Sequence, residues 1–78
     1  MHDDKNLLKE FGERLRQARE NVGISQETLA HRAGLHRTYV GSVERGERNL
    51  SLLNILSLAT VLHIDASQLV QGMKRESM

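Results

Sequence analysis

Residues 25–46 read SQETLAHRAGLHRTYVGSVERG, and this stretch decides the fold. Ser25 suits a helix N-cap, where its hydroxyl accepts from a free backbone N–H. Leu29, Ala30 and Ala33 then recur at helical spacing and predict a two-turn helix over about Gln26–Ala33. Gly34 stops it, at a turn whose left-handed backbone glycine adopts without strain. Leu35 fills the turn and His36 opens a further helix, about Arg37–Arg45, held inward by Val40 and Val43. Ala30 has to be small where the two helices cross. Arg37, Thr38 and Ser42 are left to point outward, and Gly46 closes the segment. Two short helices around a glycine turn, the second polar and basic, form a helix-turn-helix pattern.

Upstream, Leu8, Phe11, Leu15, Ala18 and Val22 make one buried stripe of a first helix, about Asp4–Asn21, which Gly23 ends. Gly12 interrupts that helix at a cost of about 1 kcal/mol relative to alanine. Downstream, Glu47, Arg48 and Asn49 form a loop and Ser51 caps a fourth helix, about Leu52–Leu62. Its inward stripe is Leu52, Ile55, Leu58, Ala59 and Leu62. A fifth helix, about Ala66–Gln71, follows Asp65 or Ser67 as its cap, and the tail Met73–Met78 is expected to fray. No strand-like alternation competes with this reading. The expectation is an all-α, compact five-helix domain over residues 1–78, its core spanning about 7–72 and its helix-turn-helix about 25–45.

A chain of 78 residues buries only roughly 60% of the surface that it exposes when unfolded. Chains so small usually gain a disulfide, a metal or a partner. Cysteine is absent, so disulfides, thiolate zinc sites and cysteine nucleophiles are all excluded. Oligomerisation is the support that remains. The polar start MHDDKNLLKE lacks the apolar core of a signal peptide. The densest apolar stretch, Leu50 to Leu62, is broken by Ser51, Asn54, Ser57 and Thr60. A soluble, cytoplasmic protein with no membrane partner is expected.

Net charge is only +1, but its distribution is informative. Asp3, Asp4, Glu10 and Glu13 lie near the start, while Arg32, Arg37, Arg45 and Arg48 gather in the middle against Glu44 and Glu47. Arginine outnumbers lysine eight to three, and its planar fork suits phosphates and guanine edges. Of the histidines, His31 and His36 straddle the turn and share no helical face, so no metal is expected. The serines fall at caps or on helix faces without a matched histidine and acid. No catalytic set, cofactor or small-molecule ligand is expected, and the chain reads as a non-enzyme.

The extended string SQETLAHRAGLHRTYVGSVERGERNLSLLNILSLATVLHI, residues 25–64, resembles the DNA-binding domain of lambda-repressor and Cro-like (XRE-family) regulators. The resemblance runs from about Phe11 to Leu69. Its landmarks include Arg19, Gly23, Ser25-Gln26, Leu29-Ala30, Gly34, Val40 and Val43-Glu44-Arg45-Gly46. Within that family, HRTYVGSVERGERNLSLLNI looks most like the controller proteins of restriction–modification systems. Those are stand-alone dimers of similar length that regulate their own gene and an endonuclease gene. His36 departs from the Asp, Ser or Thr that usually caps this helix, and Leu50 from a frequent proline.

The resemblance implies double-stranded DNA as partner and a helix that enters its major groove. Arg37 is placed to take guanine O6 and N7 with its fork, with Thr38 and Ser42 as further base readers. Gln26, at a helix start rich in free N–H groups, is expected on the DNA backbone. His36, Tyr39, Arg45, Arg48 and Asn49 are expected there as well. Glu44 would repel DNA if exposed and should turn inward, and the resemblance gives Arg19 as its ion-pair partner. Leu53, Leu56, Val61, Ile64, Leu69, Val70 and Met73 exceed what one small core needs, so they are expected at a homodimer interface. Such a dimer would block or recruit RNA polymerase according to operator position. A phage-type repressor or an antitoxin fits the same fold, and a helical protein-interaction module is the reading from another class.

Overall fold

The computed structural model describes residues 4–75. Five helices follow one another: α1 (Asp4–Val22), α2 (Gln26–Ala33), α3 (Arg37–Glu44), α4 (Leu52–Val61) and α5 (Ser67–Val70). No strand occurs among the described residues. The order, both bounds of α2 and the starts of α1, α3 and α4 match the sequence reading, and the remaining ends differ by one residue, as fraying helix termini do.

Local chemistry sets these boundaries. Ser25 Oγ accepts from Thr28 N at 3.0 Å and Ser51 Oγ from Asn54 N at 3.1 Å, so both expected caps form. His36 caps α3 in place of a hydroxyl or carboxylate: its Nδ1 accepts from Thr38 N at 3.2 Å. Gly34 is left-handed at φ 72°, and its N–H and that of Leu35 close α2 onto the carbonyls of His31 and Ala30. Before α5 it is Asp65 that acts, accepting from Ser67 N at 2.8 Å. That hydrogen bond favours the charged form and holds its carboxyl below the usual range.

α3 lies at the centre, packed on α1 and α2, while α4 packs on α2 and α5 folds back onto α1. Phe11, Leu15, Leu29, Ala30, Val40, Val43, Leu58, Ala59, Leu62 and Leu69 form one continuous core. Gly12 is where α1 meets α3. A Cβ there would stand 2.6 Å from the Glu44 carbonyl oxygen and closer still to that of Val43. The glycine that weakens α1 as a helix lets two backbones touch.

The apolar pattern misassigned three residues. Val22 is exposed, because the turn at Gly23 carries Ile24 inward to pack against the core instead. Leu52, expected to face inward, is 68% exposed. It is the first residue of α4, and helical side chains lean toward the N-terminus, beyond the packed turns. Leu69, expected at a dimer interface, is buried in its own core because α5 closes on α1. The start of the tail is also tied down. Arg75 pairs with Asp4 at 2.8 and 3.1 Å, and Arg14 donates to the Gln71 carbonyl at 2.7 Å. The rest of the expected frayed tail, and His2 and Asp3, lie outside the described residues.

Candidate nucleic-acid interface

The outer face of the helix-turn-helix is a shallow, open cleft of about 490 Å³ between the N-terminal ends of α2 and α3. Ser25, Gln26, Glu27, Arg37, Thr38, Gly41 and Arg45 line it, and the mostly buried Arg19 reaches its floor. Two helix N-termini therefore open onto one surface with two exposed arginines, Arg37 and Arg45, an arrangement that favours anions.

Behind this surface sits a partly buried joint. Arg19 donates from Nε to Glu44 Oε2 at 2.7 Å and from NH2 to Oε1 at 3.0 Å. The two side chains are only 12% and 3% exposed. Arg19 NH1 reaches the Ile24 carbonyl at 2.9 Å, and Gln26 Nε2 gives Glu44 a third donor at 2.9 Å. The hydrogen bond to Glu44 raises the Arg19 pKa above its ordinary value. α1, α2 and α3 are thereby locked together by one carboxylate. The inward turn of Glu44 and its pairing with Arg19 are both present.

Arg37 and Thr38 stand exposed on the first turn of α3. The Arg37 guanidinium lies 3.9 Å from the Glu27 carboxylate, with both side chains mostly in solvent. The Thr38 hydroxyl is 2.6 Å from His36 Nδ1, so cap and candidate reader are coupled. Ser42 does not join them. It is 6% exposed, donates to the Tyr39 carbonyl at 2.7 Å and accepts from Arg48 Nε at 3.2 Å. A hydroxyl bonded back to its own helix and roofed by an arginine cannot reach a base edge, so the expected third reader is a structural residue.

The expected backbone contacts divide into two sets. Gln26 is half-buried beside Gly41, with its amide nitrogen already on Glu44. Tyr39 packs against the core, accepts from Asn54 Nδ2 at 3.1 Å and lies under the Arg48 guanidinium, 5.9 Å from its ring centre. Arg48 and Asn49 are exposed beyond the C-terminal end of α3. Asn49 faces a separate cleft of about 190 Å³ with Asp4, Leu7, Leu8 and Arg75. Arg45 projects over Gly41, paired with Glu47 at 3.1 and 3.2 Å. That hydrogen bond raises the Arg45 pKa and lowers that of Glu47.

Glu27 and Gly41 line this cleft and Asn54 holds the Tyr39 hydroxyl, and none of the three was singled out in the sequence. Gly41 was detectable in principle, since it lies one helical turn beyond Arg37 and Thr38. In α4 and α5, Leu53 is 73% exposed and Leu56 and Val70 are 42% exposed. Val61, Ile64 and Met73 are half-buried, packed against their own core. Among the described residues no cluster of three His, Asp or Glu has metal-binding spacing, and no helix is long and apolar enough to cross a membrane.

Comparison with known proteins agrees with this geometry. A family model described as helix-turn-helix matches residues 15–69. Control protein C.SmaI of Serratia marcescens is 47% identical over 76 residues, 95% of this chain and 87% of that protein. The crystal structure of the restriction-modification controller protein C.AhdI from Aeromonas hydrophila is 60% identical, with a TM-score of 0.78 over 80% of this chain and 94% of that one. The DNA-binding domain of the P22 c2 repressor is 29% identical, with a TM-score of 0.76 over 80% of this chain and 82% of that one. The chain belongs to the XRE-type helix-turn-helix transcriptional regulators and, within them, to the restriction–modification controller proteins.

Proposed function

We propose that the protein is a dimeric regulator that binds a pseudo-palindromic operator through the outer face of α3. The observation that carries this reading is the first turn of α3, which holds Arg37 and Thr38 in solvent on a helix fixed from behind by Arg19, Glu44 and Gln26. A rigid helix with exposed readers at its N-terminus suits a major groove. Arg37 takes a guanine edge and Thr38 a thymine methyl or base edge. Gln26, His36, Tyr39, Arg48 and Asn49 hold phosphates on either side, which fixes register without specifying sequence.

The second half of the reading is the dimer. Leu53, Leu56 and Val70 leave apolar surface in water, with Val61, Ile64 and Met73 half-buried near them in the sequence. Pairing this surface about a two-fold axis would set two recognition helices about 34 Å apart, one turn of DNA. The dimer then blocks or recruits RNA polymerase according to where the operator lies. Kinship with controller proteins favours this reading over a phage repressor or an antitoxin.

Fluorescence anisotropy with the DNA upstream of its own gene, against a scrambled duplex across a salt series, tests the reading. Binding about 10³-fold or more tighter to the native duplex, and weakening steeply with salt, is expected. Equal, weak binding to both would remove the regulator reading. Sedimentation equilibrium that shows only monomer well above micromolar concentration would remove the dimer.

A further inference from the structure

The end of α3 holds a group arranged like a reader. α3 turns once every 3.6 residues, so Thr38 and Arg45, seven residues apart, lie on nearly one line along its outer face. Gly41 falls between them. A Cβ on Gly41 would stand 3.3 Å from Arg45 NH1 and 3.3 Å from Gln26 Oε1, so both side chains lie across the glycine. Arg45 therefore runs back toward the N-terminus of α3 and into the cleft that Arg37 and Thr38 line. It is no part of the core, with 62% of its side chain exposed.

Glu47 holds the other side of this group. Its two carboxylate oxygens accept from Nε and NH2 of Arg45 at 3.1 and 3.2 Å. That pair occupies one edge of the guanidinium and leaves the terminal NH1–NH2 edge directed across Gly41. A carboxylate beside the arginine also offsets its charge, which is what a phosphate contact draws on. A guanine contact draws on the planar donor fork, which the pairing leaves intact.

We propose that Arg45 is a base-reading residue, held by Glu47 across the open floor at Gly41, and that it takes the major-groove edge of a guanine beside the bases facing Arg37 and Thr38. Glu47 and Gly41 are positioning residues. The proposal rests on the DNA-binding reading above.

The test begins with duplexes enriched from a randomised pool by the wild-type protein. Affinities are then measured for the enriched duplex and each of its single base-pair substitutions. Wild type, Arg45→Ala, Arg45→Lys and, as a comparison, Arg48→Ala are assayed. Wild type should discriminate at a position assigned to Arg45 by about 5- to 150-fold. Both Arg45 variants should flatten that one position in each half-site and leave the others intact. Lysine fails with alanine because it keeps the charge but loses the fork. Arg48→Ala should weaken all duplexes alike. A uniform loss for Arg45→Ala, with a salt slope lower by about one ion and near-complete rescue by Arg45→Lys, would make Arg45 a phosphate contact and overturn the proposal. No enrichment by wild type would overturn the DNA-binding reading itself.

Discussion

The two faces of α3 use the same residue types for opposite ends. On the inner face, a glutamate (Glu44) and an arginine (Arg19) form a pair that is 3% and 12% exposed, and a glycine of α1 brings two backbones into contact. On the outer face, Glu47 and Arg45 form a pair that is 55% and 62% exposed, and Gly41 leaves a floor across which side chains lie. Burial and the number of partners separate the two. Glu44 has three side-chain donors, two of them from Arg19 and one from Gln26, and losing Arg19 strands its charge. Glu47 holds Arg45 from the solvent side, where losing the partner strands no buried charge. The inner face is architecture, and the outer face is held ready for a ligand.

Variants that break the inner face should have the largest effects. Arg19→Ala leaves Glu44 poorly compensated at 3% exposure and should cost about 3–5 kcal/mol in urea unfolding. Any loss of DNA binding should then track the unfolded fraction. An Arg19→Ala protein that melts normally would show that the joint is ornamental. Gly12→Ala comes next. Its methyl would meet the backbone oxygens of Val43 and Glu44, groups that cannot swing aside, and the overpacking should cost about 3 kcal/mol. Unchanged stability would mean that α1 and α3 are not pressed together at that point.

The same change on the outer face should reverse sign. Gly41→Ala places a methyl 3.3 Å from the ends of the Arg45 and Gln26 side chains and against no backbone, while alanine favours the helix by up to about 1 kcal/mol over glycine. A melting temperature that holds or rises, with weaker binding to a selected duplex, is expected. Destabilisation like that of Gly12→Ala would erase the distinction between the faces. Glu47→Gln is the smallest change. The exposed pair should leave thermal stability at neutral pH almost unaltered. Because Arg45 lowers the Glu47 pKa, the little that the pair contributes is present above the ordinary carboxylate range. It is lost as pH falls through the lowered value. The wild-type and variant melting curves should therefore converge in acid, and a gap that widens there would contradict the assignment.

Much of the inner face was legible in the sequence, because its signals are local and periodic. Ser25, Gly34 and Ser51 mark helix ends by their own chemistry, and Leu29, Val40 and Val43 repeat at helical spacing. Arg19–Glu44 joins residues 25 positions apart, and only resemblance to a family pointed to it. The outer face was harder to read. Ser42 lies toward the outside by helical count, yet Arg48 from the following loop covers it and its hydroxyl donates to the Tyr39 carbonyl. Leu69 looked surplus because nothing local says that α5 folds onto α1. Leu52 looked buried because spacing alone does not show where α4 outruns its neighbours. Each miss concerns a residue whose surroundings are set by the following loop, by a segment distant in sequence or by a helix end.

The most direct test observes both faces at once. In ¹⁵N-labelled protein, the arginine Nε–Hε resonances are followed as a selected duplex is added. Arg37 and Arg45 should move strongly and in proportion to bound DNA, while Arg19 keeps its free-protein position. A spectrum in which Arg19 shifts with the others, or in which Arg37 and Arg45 stay still while α4 amides move, would contradict it.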